Sequence, residues 1–151
     1  MRFNAAPSGL ALGILSALAL YLFFWSGYQV AKNIPGFVQT ITSVYGLRGG
    51  VSQQDISLLL LFPIGPTEEL YWRGLIQKSL NERMKPNQSL LLTSVIYASI
   101  HIPTLNPSLL LVAFIGGLVL GALYNRYGSI LPSLLSHVIF DEMIFVYLVI
   151  S

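Results

Sequence analysis

Three strongly apolar stretches of the sequence are each interrupted by residues that could do acid–base chemistry. The stretches read PTEELYWRG, YASIH and HVIFD, and the interrupting residues are Glu68, Glu69, Arg73, Tyr97, His101, His137 and Asp141. A charged group in mid-bilayer costs about 2.5–3.5 kcal/mol on insertion scales, so each is a functional-site candidate by default. Carboxylates and imidazoles together can activate water as general bases, or hold a divalent metal that does so.

The spacing in PTEELYWRG separates the two glutamates by role. Glu69 and Arg73 are four residues apart, so on a helix they share a face and can neutralise each other. Glu68 lies about 100° around the helix and has no such local partner. Thr67 is a predicted N-cap, following a predicted break in the segment at residues 63–66. Such a break is tolerated at membrane depth only where it faces protein or a wet cavity, which predicts a water-filled pocket beside Glu68.

The two histidines each have a polar residue one helical turn away. Tyr97 precedes His101 by four residues, and Asp141 follows His137 by four residues. A carboxylate one turn from an imidazole can fix its tautomer and raise its basicity. If the three stretches converge, one pocket contains a free carboxylate, two histidines and a further acid.

The composition indicates an integral membrane protein. Of the 151 residues, 54% are hydrophobic and only 9% are charged, whereas soluble domains carry about 25% charged residues. The net charge of +2 comes with no basic face that would bind nucleic acid. The sequence contains no cysteine, which excludes thiolate nucleophiles and cysteine-ligated metals.

Hydropathy predicts an all-α, polytopic membrane helix bundle in one domain, residues 1–151. A short amphipathic piece at the membrane interface is predicted between the first two segments. Gly117 and Gly121 in the fourth segment have the small-residue spacing that lets helices pack closely. Five transmembrane segments are expected, at residues 9–31, 55–80, 89–103, 107–124 and 130–150.

Loop charges predict a cytoplasmic N-terminus. Lys32 and Arg48 then fall outside, against five basic residues inside. The inside set is Arg2, Lys78, Arg83, Lys85 and Arg126. In this orientation the third segment runs outward and His101 lies near its outer end, so we expect the pocket to open towards the outer face.

The three motifs together resemble those of the CPBP intramembrane proteases, also called CAAX-processing or Abi-type proteases. EELYWR is similar to the family's E-E-x-x-x-R motif. YASIH resembles F-x-x-x-H, with Tyr97 in place of the phenylalanine, and HVIFD resembles H-x-x-x-N/D, with Asp141 in the variable last position. The resemblance covers roughly the last two-thirds of the chain and implies a catalytic core at residues 55–150, in a small member of a bacterial or archaeal cell membrane.

The resemblance also implies roles for the site residues. Glu68 would activate the attacking water with help from His101. His137 and Asp141 would stabilise the oxyanion, and because an ionised aspartate cannot donate a hydrogen bond, Asp141 would orient His137 or be protonated. Supporting roles fall to the residues Glu69, Arg73 and Tyr97.

The resemblance favours a metal-free, glutamate-type mechanism on a membrane-anchored protein substrate cut near its C-terminal end. A zinc site built from Glu68, His101 and His137 is the alternative. Two other functions stay open from the sequence: a non-enzymatic immunity or scaffold protein, and a transporter-like ion or proton site. The substrate and the oligomeric state have no signal in the sequence.

Overall fold

A computed structural model describes residues 6–150, and within that range the secondary structure is helical with no strand. Arg2, which contributes to the predicted orientation, lies outside the described residues. The α-helices are α1 Pro7–Ala31, α2 Phe37–Gly46, α3 Gln53–Leu59, α4 Gly65–Glu69, α5 Lys78–Asn81, α6 Pro86–Ser99, α7 Pro107–Tyr127 and α8 Leu131–Asp141. Three π-helical stretches, Leu60–Ile64, Leu70–Gln77 and Glu142–Tyr147, and a 3₁₀ turn, Ile102–Thr104, complete the helical elements of the described range.

Local sequence signals explain where the helices begin and end. The side chain of Asn106 accepts a hydrogen bond from the Leu109 amide at 2.9 Å, and Pro107 then occupies the first turn of α7. Gly128 ends α7 in the left-handed conformation, with φ of 60°. The predicted loop at residues 81–88 is shorter than expected, since α5 runs to Asn81 and α6 starts at Pro86.

The predicted break at residues 63–66 is wrong. The backbone stays helical from α3 to α5, and Pro63 lies inside the π-helical stretch Leu60–Ile64. The amide of Gly65 bonds to the carbonyl of Leu60, five residues back, so the wider turn accommodates a proline that has no N–H to donate. Thr67 is therefore not an N-cap: its hydroxyl donates to the carbonyls of Pro63 and Ile64.

The bundle packs around two long helices. Helix α1 lies against α8, and α7 lies between α6 and α8. Close approach depends on small residues, as predicted for the α7 motif. A Cβ on Gly117 would lie 3.3 Å from Ser94 of α6, and one on Gly13 would lie 2.6 Å from the Pro132 carbonyl oxygen.

The distribution of polar groups is the reverse of that in a water-soluble protein. The largest fully buried side chains include those of Arg73, Gln77 and Glu69, together with several serines. Large apolar side chains such as Phe62, which is 70% exposed, cover the outside. Helices α1 and α7 are each long and apolar enough to cross a membrane. These features point to a membrane protein.

Candidate active site

An ion pair between Glu69 and Arg73 forms the buried centre of the site. Arg73 Nη1 lies 2.8 Å from Glu69 Oε1, and both side chains are about as buried as side chains can be, at 1% and 0% exposure. The pairing therefore forms as the four-residue spacing predicts. Because a lone charge at this depth would be very costly, each member requires the other.

Arg73 also connects its own π-helical stretch, Leu70–Gln77, to α7. Its Nη2 donates to the carbonyl oxygen of Gly117 at 3.2 Å, and its guanidinium lies 5.5 Å from the ring centroid of Tyr97. One turn further on, the Gln77 side chain donates to the Gly121 carbonyl at 2.9 Å. Gln77 is absent from the predicted site, although its spacing of four residues from Arg73 places it on the same helix face.

His137 lies between carboxylates on both sides of its ring. Nδ1 is 2.9 Å from Glu69 Oε1, while Nε2 is 3.3 Å from Asp141 Oδ2 and 3.9 Å from Glu68 Oε2. The His137–Asp141 pairing agrees with the predicted spacing, whereas the contact with Glu69 was not expected. Both ring nitrogens can donate to these oxygens only if the ring carries two protons.

Glu68 differs from its neighbour in partner and in access. The hydroxyl of Tyr97 donates to Glu68 Oε2 at 2.8 Å, so Glu68 does have a partner, although not on its own helix. Its side chain is 29% exposed, compared with 11% for Asp141 and 0% for Glu69. Among these three carboxylates, Glu68 is the one that a water molecule and a substrate can reach most easily.

His101 lies on the edge of this group. Its Nδ1 is 3.1 Å from the carbonyl oxygen of Tyr97, and its ring meets the Tyr97 ring edge-on at 5.5 Å. Within residues 6–150, no hydrogen bond or ion pair joins His101 to Glu68. Tyr97 is the residue between them, since its hydroxyl contacts Glu68 and its backbone contacts His101.

Zinc binding by Glu68, His101 and His137 stays a prediction. The described part of the chain contains no cluster of three or more histidine and acidic side chains with metal-binding geometry. Nδ1 of His137 faces Glu69 and Nε2 faces Asp141, so binding of a cation to this ring would displace one of these contacts. Glu68, His101 and His137 therefore do not form a ready ligand set.

Taken together, the fold and site define a helical membrane protein with a buried glutamate–arginine–histidine centre and one accessible carboxylate. The sequence profile described as "Type II CAAX prenyl endopeptidase Rce1-like" matches residues 55–143. The chain belongs to this family of CAAX-type endopeptidases, which confirms the resemblance drawn from the three motifs. No curated protein and no solved structure shows significant similarity to the chain.

Proposed function

We propose that this chain is an intramembrane endopeptidase that hydrolyses a peptide bond near the C-terminal end of a membrane-anchored protein. The observation that carries the proposal is the difference between two adjacent glutamates. Glu69 is buried and paired with Arg73, whereas Glu68 is accessible and has one oxygen held by Tyr97. Together with membership of an endopeptidase family, this leaves the free oxygen of Glu68 available to a water molecule.

In the proposed reaction, Glu68 Oε1 accepts a proton from water while the water oxygen attacks the scissile carbonyl carbon. The carbonyl oxygen becomes an oxyanion and accepts a hydrogen bond from Nε2–H of His137, which lies on the Glu68 side of the ring. Collapse of the intermediate breaks the C–N bond, and the proton held by Glu68 passes to the leaving amine. The products are one fragment with a new C-terminal carboxylate and one with a new N-terminal amine.

The surrounding residues have positioning roles in this scheme. Glu69 and Asp141 hold the two ring nitrogens of His137, so the ring keeps one orientation. Arg73 neutralises Glu69 on the Nδ1 side of the ring. On the other side, Nε2–H is shared between Asp141 and the oxyanion that forms next to Glu68. His101 borders the entrance, where its Nε2 can contact the water or the substrate backbone. Zinc has no role in this scheme.

The proposal includes the membrane arrangement. We propose five transmembrane segments, with the N-terminus in the cytoplasm and the site opening towards the outer face. A reporter-fusion map that placed Ser151 in the cytoplasm would contradict this topology. The domain proposed for catalysis is the segment from residue 55 to residue 150, with α1 as a separate transmembrane helix that packs against α8.

Co-expression with a candidate substrate tests the activity. Glu68→Gln and His101→Ala should each abolish cleavage while the protein accumulates in the membrane at the wild-type level. A scaffold or immunity protein would keep its function in both variants, whereas a transport protein would lose transport and would not cleave the substrate in any form. Unchanged cleavage of the substrate in both would therefore rule out the protease mechanism.

A further inference from the structure

A groove of about 440 Å³ lies next to the candidate active site. Its walls come from α2, α3, the π-helical stretch Leu60–Ile64 and the start of α7. Ile64, which lines it, is one helical turn before Glu68, and His101 lines it directly. The groove therefore ends beside the two residues proposed to activate water.

The lining of this groove is apolar apart from two side chains, His101 and Arg48. Binding sites are commonly built in this way, with apolar walls that hold the ligand and a few polar groups that set its orientation. Since His101 borders the proposed reaction centre, Arg48 is the polar group available to bind the far end of a ligand. In the proposed topology both residues lie towards the outer face.

Arg48 has no acidic partner among residues 6–150. Its guanidinium donates to the backbone carbonyl oxygen of Phe145 and lies 5.0 Å from the ring centroid of Tyr45. Two acids of the elements that border the groove accept hydrogen bonds from serines, Asp55 from Ser52 and Glu142 from Ser57. A guanidinium has five N–H donors, so one backbone bond leaves donors free for an anion.

We propose that the groove binds the apolar C-terminal residues of the substrate and that Arg48 binds their free terminal carboxylate. This inference rests on the proposed function, in which the cut falls near the C-terminal end and the released fragment ends in a carboxylate. A carboxylate cannot enter an apolar groove without a compensating charge, and guanidinium matches its geometry with paired hydrogen bonds. Arg48 would thereby set how far the cut lies from the substrate's end.

Binding, measured separately from cleavage, tests the assignment. The test uses the full chain carrying Glu68→Gln, in detergent or nanodiscs. This substitution leaves bound peptide intact if Glu68 is the catalytic base. The probes are a fluorescent, acyl-anchored peptide ending in three apolar residues, its C-terminal amide, and an amide that carries one glutamate side chain. Each is titrated against the Glu68→Gln protein, against that protein with Arg48→Gln added, and against a matched control with Arg126→Gln added.

Arg126 is a suitable control because it lies 5.9 Å from the ring centroid of its neighbour Tyr127, as Arg48 lies against Tyr45, but outside the groove. We expect the free acid to bind at least about 10-fold more tightly than its amide, the loss expected for one charged hydrogen bond. Arg48→Gln should reduce this acid-to-amide ratio to about 1, and Arg126→Gln should leave it unchanged. Because the ratio compares two ligands on one protein, partial destabilisation by Arg48→Gln cancels.

Three results would overturn the assignment. The first is equal affinity for acid and amide in the Glu68→Gln protein that retains Arg48. The second is an unchanged acid-to-amide ratio after Arg48→Gln. The third is equal binding of the free acid and the glutamate-bearing amide. The last result would mean that any carboxylate, not the chain terminus, is recognised. Cleavage by the Glu68→Gln protein would refute the proposed catalytic base and leave the binding result standing.

Discussion

Tyr97→Phe removes one oxygen atom from the candidate site and leaves the rest of the ring in place. The ring's contacts with Trp72, Arg73 and His101 do not involve the hydroxyl, so packing should survive the change. What is lost is the 2.8 Å hydrogen bond to Glu68 Oε2. Glu68 is then free to rotate about its side-chain bonds or to pair more closely with His137, which lies 3.9 Å away.

A hydrogen bond to a charged acceptor contributes about 1.5–3 kcal/mol. If that energy holds the proposed base in its reactive orientation, its loss lowers kcat by about 10- to 100-fold, since 1.36 kcal/mol corresponds to a factor of ten. KM should stay within about twofold, because Tyr97 does not line the groove proposed to bind the substrate. The assay is steady-state cleavage of a quenched fluorescent peptide by the purified protein.

Tyr71→Phe is the matched control for this experiment, since Tyr71 is 50% exposed and also packs against Trp72. It should leave both kinetic constants at wild-type values. If Tyr97→Phe, with an unchanged thermal midpoint, kept kcat within twofold of wild type, the hydroxyl would have no positioning role. A rise in KM at constant kcat would also refute the reasoning, because it would place the hydroxyl in substrate binding.

Three further predictions follow from the same contacts. Arg73→Met removes the guanidinium partner of the buried Glu69 and leaves only His137 in contact with it, so it should destabilise the fold by about 3–5 kcal/mol in denaturant unfolding. A loss below about 1 kcal/mol would contradict the importance of the pairing. Gly121→Ala should cost about 1–3 kcal/mol, because a Cβ there would lie 2.5 Å from Leu90 Cδ1 and 2.8 Å from Gln77 Oε1, and the Gln77 amide is fixed by its hydrogen bonds to Gly121 and Asn125. Gly116→Ala meets nothing within 4 Å and should not destabilise the fold; equal effects of the two substitutions would refute the packing argument. Prolonged treatment of the purified enzyme with a chelator should leave kcat unchanged, and loss of activity that zinc restores would establish a metal mechanism instead.

Local spacing predicted much of the site because helical periodicity decides which neighbours share a face. The Glu69–Arg73 and His137–Asp141 pairs required only a four-residue spacing on one helix. The contact between Glu69 and His137 joins residues 68 positions apart and depends on how α4 packs against α8. No single-helix pattern contains that information.

The partner of Glu68 was missed for a related reason. Tyr97 was assigned to its own helix face with His101, yet its hydroxyl reaches across to a different helix. The predicted break at residues 63–66 is wrong because Pro63 does not end the helix here. A π turn has a hydrogen-bond register that tolerates Pro63, so the helix continues through this residue. Thr67 therefore lies inside the helix, where its hydroxyl donates to the Ile64 carbonyl.

The most direct test of the central claim compares two carboxylate-to-amide substitutions in the same cluster. Glu68→Gln removes the proposed base and should lower kcat of the purified enzyme at least about 1,000-fold, to the level left when a catalytic group is lost. Asp141→Asn keeps a hydrogen-bonding partner for His137 and should retain activity within about tenfold of wild type. Retained activity in Glu68→Gln, together with its loss in Asp141→Asn, would mean that Asp141, not Glu68, is the essential carboxylate.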